Sequence, residues 1–293
     1  MIKNYLQLNN LEINKAYEFI TRNEEHKKIL QDIEKQLKNE VNNFGEGTLF
    51  LFKKETIIAK VTIVLKEVKE IGTAYIIGLD ISEDTEEKID IIKEIVKEAT
   101  NIARNYGATE IYFGTNSKEI VKLLKEYNIN EEYLAIIMKL NDDKIKYRQL
   151  KLKELSHANK LIYKEIYNDI FKYIPNGATI TERELEENIK LKDNNNEYFI
   201  VMNDENIDIG ILDISIKDKI GSFDLGLKKE FRNKRYGKRL LETAIEFLSK
   251  KENVEEINLL VISKNKLAYE MYKKRGFEDK YIFSYWYEVK DLI

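Results

Sequence analysis

Residues 225–242 read LGLKKEFRNKRYGKRLLE, and the fold turns on how they are read. The stretch begins as the end of a strand, because residues 220–227 alternate loosely and finish in small and apolar side chains. Arg232, Lys234, Arg235, Lys238 and Arg239 then cluster around a single glycine, Gly237. From Tyr236 the pattern is helical: Tyr236, Leu240, Leu241, Ala244, Ile245 and Leu248 recur at three- and four-residue steps. A helix start leaves backbone N–H groups without intrahelical acceptors and carries partial positive charge. A glycine, which permits close backbone approach, and clustered cations make such a start a site for a phosphate or pyrophosphate. An ordinary basic helix start on the surface would share the pattern, so the reading needs support from elsewhere in the chain.

That support lies downstream. Residues 254–262, VEEINLLVI, are strand-like, and they are followed by Asn265, Ala268, Tyr272, Gly276 and Phe277. The basic loop resembles the acetyl-CoA loop of the GNAT acyltransferases, Gln/Arg-x-x-Gly-x-Gly/Ala, standing here as Arg232-Asn233-Lys234-Arg235-Tyr236-Gly237. The second glycine position is kept, the first holds Arg235, and Lys229 replaces the proline common upstream. The family's second signature, Asn-x-x-Ala-x-x-x-Tyr-x-x-x-Gly-Phe, is matched at every position by Asn265, Ala268, Tyr272, Gly276 and Phe277.

The resemblance implies an α/β fold, a mixed and mostly antiparallel sheet flanked by helices, with acetyl-CoA as co-substrate and no metal. It implies that the pantetheine arm lies where the strand ending at Leu227 splays from strand 254–262, the Leu227 N–H facing the thioester carbonyl. Arg232, Asn233, Lys234, Arg235, Tyr236, Gly237 and Lys238 would take the pyrophosphate. Asn265 would contact the arm, and Tyr272 would touch the cofactor and protonate the departing thiolate. No general base is evident. Asp224 is the nearest acidic residue by position, and a solvated strand aspartate or a base-free route through ordered water remains equally open.

The chain has 293 residues, enough for two domains. An apolar content of 43% supports real cores, and a net charge of −3 lacks the basic face of a nucleic-acid binder. With no cysteine there is no disulfide, thiol nucleophile or thiolate metal site. His26 and His157 lack metal-ligand spacing and read as surface residues. No stretch approaches 18 apolar residues and the N-terminus does not read as a signal peptide, so a cytoplasmic protein without a membrane partner is expected.

The order strand, helix, strands, helix, strand, helix, strand occurs twice. The repeat is visible by subtraction: Gly78 aligns with Gly226, Leu124 with Tyr272 and Tyr133 with Tyr281, each at a shift of 148. Two α/β units, 1–143 and 144–293, are therefore expected, with the polar cluster 141–144 as the boundary, and the whole resembles tandem GNAT proteins. At the same shift Asp84 replaces Arg232, Glu87 replaces Arg235, Ile89 replaces Gly237, Ser117 replaces Asn265 and Leu124 replaces Tyr272. An acidic loop repels a pyrophosphate, so the first half reads as a non-catalytic copy.

Segment 171–188 contains the one proline, Pro175, and lies where the family commonly covers the acceptor. Glu182, Glu184, Glu186 and Glu187 would favour a cationic amine, although carboxylates also suit any first helical turn. Tyr285, Trp286 and Tyr287 suit either a core or a groove wall. The expected activity is N-acetyl transfer from acetyl-CoA to a primary amine of a small molecule or peptide, with a homodimer allowed. The alternative is a catalytically silent acetyl-CoA-binding or scaffold protein.

Overall fold

The computed structural model describes residues 1–24, 28–142, 144–191, 193 and 195–293. His26 and Asp143 lie outside the described residues. The chain divides into two compact units, Met1–Tyr133 with Ser284–Ile293, and Leu134–Phe283. Among the described residues no helix is long and apolar enough to cross a membrane.

The first unit contains β1 (Ile2–Asn4), α1 (Asn10–Thr21), α2 (Leu30–Leu37), β2 (Thr48–Lys53), β3 (Thr56–Val64), α3 (Val68–Ile71), β4 (Thr73–Ile81), α4 (Lys88–Asn105), β5 (Glu110–Thr115) and α5 (Lys118–Glu126). The sequence pattern predicts one helix over 13–41, whereas the structure has α1 and α2. Just past α1, Arg22 turns its guanidinium back onto the Phe19 carbonyl and across to Asp80 on β4. β1, β2, β3 and β4 pair antiparallel in that order, and β4 pairs parallel with β5. The amphipathic α4 supplies Ile92, Ile95, Val96 and Ala99 to the core above this sheet.

The second unit contains most of β6 (Tyr133–Leu140), then β7 (Lys151–Glu154), α6 (Lys160–Phe171), α7 (Glu182–Leu191), β8 (Asn196–Met202), β9 (Asp208–Lys217), β10 (Ile220–Leu227), α8 (Tyr236–Ser249), β11 (Glu256–Ile262) and α9 (Lys266–Arg275). The last strand, β12 (Phe277–Glu288), gives residues to both units. Order in this sheet is β7-β8-β9-β10-β11-β6, antiparallel except for β10 with β11. Side chains alternate as the pleat requires. Ile211 packs with α6 and α7, while Leu212 and Ile214 pack in the cluster that holds Leu240, Leu241 and Ile245 of α8.

Set beside the expected halves, 1–143 and 144–293, the compact units exchange strand segments. β6 pairs with β11 and buries Ile136, Met138 and Leu140 in the second unit. Ser284–Ile293 belongs to the first, where Tyr285, Trp286 and Tyr287 pair with Thr115, Gly114 and Phe113. Trp286 lies flat on Gly114, where an added Cβ would meet the indole at 2.7 Å. These aromatics are therefore core and packing residues of the first unit.

One buried ion pair anchors the second unit. Arg275, at the end of α9, donates Nε–H to Glu242 of α8 at 2.5 Å, with side-chain exposures of 4% and 0%. Its remaining donors reach the carbonyls of Asp142 at 2.7 Å and Lys144 at 3.0 Å, and Glu242 also accepts from the Lys146 N–H. The chain entering the second unit is thereby fastened to α8 and α9. Removing one partner leaves a buried charge uncompensated, so Arg275→Ala is expected to cost about 3–5 kcal/mol. The Glu242→Leu/Arg275→Met double variant should recover most of that loss, and urea denaturation midpoints of the two variants check it.

Candidate active site

β10 and β11 run parallel but pair only at Ile220–Glu256, Gly221–Ile257 and Ser222–Asn258. Beyond Ser222, β10 continues to Leu227 against β9 alone, and β11 continues to Ile262 against β6 alone. The two facing edges therefore part, leaving backbone groups that a ligand or water must satisfy. Two glycines serve this region. A Cβ on Gly210 would meet the Gly226 carbonyl oxygen at 2.2 Å, and a Cβ on Gly226 would meet Ile170 of α6 at 2.2 Å.

Past Leu227 the chain forms a short 3-10 turn over Lys229–Phe231 and enters α8. Arg232 donates Nε–H back to the Leu227 carbonyl at 2.9 Å, which fixes the loop on the strand end. Asn233 and Arg235 adopt left-handed backbone, φ 61° and 66°. Arg235 occupies the N-cap of α8, and no side chain among the described residues caps the helix start. The loop is thus a turn of two left-handed residues opening onto bare N–H groups, with Lys234, Arg235 and Lys238 exposed around it. Lys238 also lies over the Tyr147 ring, and Lys234 over Phe231. Arg239 is committed elsewhere, bidentate to Asp204 at 2.9 and 3.0 Å. A Cβ on Gly237 would touch only Met271 Sδ at 3.5 Å and Leu227 Cδ1 at 4.0 Å, which brings this loop close to α9.

On α9, Asn265 is the N-cap, its Oδ1 accepting from Ala268 N at 3.3 Å. That oxygen serves the helix, so a ligand contact from Asn265 falls to the amide nitrogen. Tyr272 is 8% exposed, with its ring edge-on to Phe277. Burial, and then the charge of Asp224, push its phenol well above the ordinary range. Such a phenol holds its proton at neutral pH and can serve as a donor.

Asp224 stands in direct register with Asp213 on β9. The turn between them, Asp218–Lys219, has positive φ at both residues, 50° and 66°, as a two-residue hairpin of type I′ requires. Tyr163 of α6, fully buried, donates its hydroxyl to Asp213. Burial pushes Asp213 up to about 8; the Tyr163 hydrogen bond opposes the rise and the Asp224 charge adds to it. Burial raises Asp224 as well. Solvent nevertheless reaches both residues, Asp224 more than Asp213. The Asp224 side chain is solvent-exposed although protein packs around it, so its rise is smaller in solvent than dense packing alone implies, and Asp213, held by the Tyr163 hydroxyl, is the more enclosed of the two.

Asp224, Tyr272, Leu227, the basic loop and Asn265, the residues expected from the sequence, all lie in the second unit around the parting strands. Asp213 and Tyr163 stand beside them without a motif in the sequence to mark them. A two-residue turn after Lys217 pairs 217 with 220, and so 213 with 224; the Asp218–Lys219 dipeptide held that signal. The acidic run on α7 is neutralised: Glu182 meets Lys164, Glu186 meets Lys160 and His157, and Glu187 meets Arg183. Glu184 completes a capping box with Thr181.

The chain's similarities agree with this geometry. The model of the acetyltransferase (GNAT) family matches residues 163–277, a segment inside the second unit. Among solved structures, the chain is similar to a probable N-acyltransferase of Enterococcus faecalis, described as a conserved protein of unknown function. That match has TM-score 0.63 at 13% identity and covers 99% of this chain and 72% of the other. A GCN5-related N-acetyltransferase of Sphaerobacter thermophilus matches with TM-score 0.58 at 10% identity, over 99% and 95% of the two chains. A tandem GNAT protein from the clavulanic acid biosynthesis pathway gives TM-score 0.58 at 10% identity, over 99% and 98%. At these identities the likeness is one of fold, and the fold is that of GNAT acetyltransferases. No curated protein matches the chain.

Two expectations test the local physics. Arg235 has a left-handed backbone that costs a non-glycine residue about 1 kcal/mol. Arg235→Gly should therefore raise the denaturation midpoint modestly. Asp213, with its pKa raised in the folded state, stabilises the fold while protonated. That contribution is complete below about 4, the unfolded value, and is lost as pH rises to about 8. Asp213→Asn should accordingly match the parent's Tm near pH 4 and exceed it above pH 8.

Proposed function

We propose that the second unit moves an acetyl group from acetyl-CoA to a primary amine of a small molecule or peptide. Acyl transfer is the reaction class on which family and fold agree. The observation that carries the finer reading is the parting of β10 from β11 beside an uncapped, cation-ringed helix start. The first feature offers an extended slot with free backbone groups, and the second offers a pyrophosphate site. Bare N–H groups, Lys234, Arg235, Lys238 and Gly237 suit the pyrophosphate. Tyr272, buried and firmly protonated, is suited to protonate the departing thiolate, and Asp224 to act as base. Acetyl-CoA supplies the activated thioester; the chain binds it, orients it and moves protons.

The first unit is read as the non-catalytic copy. Glu87 is the left-handed N-cap of α4 just as Arg235 is of α8, and Ser117 caps α5 just as Asn265 caps α9. The backbone device is retained while its charge is inverted by Asp84 and Glu87. One CoA per chain is therefore expected by calorimetry, and two equivalent sites would contradict this reading.

Free-thiol release from acetyl-CoA with a panel of amines separates transfer from silent binding. Gly237→Asp should fold, since its Cβ has room, yet lose CoA binding through the added negative charge. Unchanged affinity in the folded variant would move the pyrophosphate elsewhere. Tyr272→Phe should lower kcat about 10-fold or more with CoA affinity nearly unchanged, the pattern of a transition-state interaction. Wild-type turnover would remove Tyr272 from the mechanism.

A further inference from the structure

Asp213 and Asp224 face one another across β9 and β10 in the register set by the Asp218–Lys219 turn. Directly opposed residues of antiparallel strands hold their Cβ atoms about 4.5–5.5 Å apart on one face. Two carboxylates so placed cannot both ionise freely unless a cation or a proton intervenes. Among the described residues, no lysine, arginine or histidine pairs with either. What faces them is phenolic. Tyr198 of β8 is opposite Asp213, and Tyr163 of α6 donates to it with Tyr167 stacked alongside; Tyr272, packed with Phe223 and Phe277 on the other face, feels the Asp224 charge through the sheet. Ser222 shares the face of Asp224, and Asn258 pairs with Ser222 where β10 and β11 part. Asn258 Oδ1 is a buried acceptor without a donor among the described residues. The face thus combines paired acids with an unanswered acceptor, an arrangement that calls for a ligand bearing N–H groups and positive charge.

We propose that Asp213 and Asp224 act as one acidic unit that shares a single proton at rest and, once doubly ionised, receives the ammonium group of the acceptor and takes its proton. The proposal rests on the acyl-transfer reading and deepens it by naming the base as a pair and the acceptor as a primary ammonium. The ammonium gives one proton to the pair, which goes from two negative charges to one. The freed nitrogen lone pair forms the C–N bond at the thioester carbonyl carbon. The C–S bond breaks with its electrons on sulfur, and the Tyr272 hydroxyl protonates that sulfur. The surplus proton on the new amide nitrogen returns to the Tyr272 oxygen through water, and the proton on the pair passes to solvent. A base that titrates near the working pH is the kind such a step needs, and Asp213 is pushed up to about 8. Tyr163 is a positioning residue, acting through its hydrogen bond to Asp213.

The test is a titration of the full chain, labelled with 13C at the aspartate carboxyl carbons, without substrate. In the wild type the Asp213 and Asp224 signals should each show two steps, the upper one near pH 8. Asp213→Asn, nearly isosteric, should abolish the upper step and move Asp224 downward by about one unit or more, because the like charge is gone. Tyr163→Phe should move the upper step upward, because a hydrogen bond favouring the ionised form is lost. Asp224 titrating identically in wild type and Asp213→Asn would overturn the proposal. In parallel, kcat/KM for thiol release with an amine that turns over should rise with pH through the upper step, and that limb should shift to lower pH in Asp213→Asn. Thiol release with uncoupled titrations would leave acyl transfer standing and remove the pair. Coupled titrations with no thiol release for any amine would overturn the transferase reading and the base role with it.

Discussion

The second unit is arranged around an incomplete pairing. Two parallel strands that begin together at Ile220 and Glu256 share no register beyond Ser222 and Asn258. Each remains half-satisfied, β10 by β9 and β11 by β6. Buried backbone groups without partners are costly, so such a gap persists only where the surroundings hold it open and something enters to satisfy it. The holding is visible in Gly210 and Gly226, which let β9, β10 and α6 approach closer than any side chain would permit. The Arg275–Glu242 pair keeps α8 and α9 in fixed relation. Buried pairs of this kind add little net stability over an apolar substitute; what this one supplies is geometry, since its further hydrogen bonds fasten Asp142, Lys144 and Lys146 to the two helices.

Charge around the gap is divided by sign. Cations and helix N–H groups gather past the end of β10, while the Asp213–Asp224 face lies back along β9 and β10. Under the proposed function this places the anionic end of the donor and the cationic acceptor in separate regions, with the thioester between them. The acidic run of α7 takes no part in that division, because Lys160, Lys164 and Arg183 already pair with it.

The first unit repeats the helix caps of the second with different side chains. Glu87 and Arg235, 148 residues apart, both take a left-handed N-cap, and Ser117 and Asn265 both cap the next helix through their side chains. Backbone conformation at these points is set by chain direction from strand into helix, and the residue there need only tolerate it. Ligand charge is set by side chains, and those have reversed sign.

Much of this was legible from the chain alone. Helical spacing after Tyr236, the spacing from Asn265 to Phe277 and the shift of 148 are local or periodic properties, and they survive folding because they determine which face of an element is apolar. The cationic loop and Tyr272 of the candidate site are legible for the same reason. Partner choice was not. Residues 133–140 and 284–288 are both apolar strands, and nothing in an alternating strand states which sheet it joins; tertiary packing assigned β6 to β11, and Tyr285–Glu288 to β5, where Trp286 finds Gly114. The second carboxylate was hidden likewise. Asp213 by itself is an ordinary strand aspartate, and only the register set by two left-handed residues places it opposite Asp224 and beneath the Tyr163 hydroxyl. Sequence determines what each segment can be and, through the two-residue turn at Asp218–Lys219, which residues face each other in a hairpin; which distant segments meet in a sheet is decided by long-range packing that no local pattern encodes.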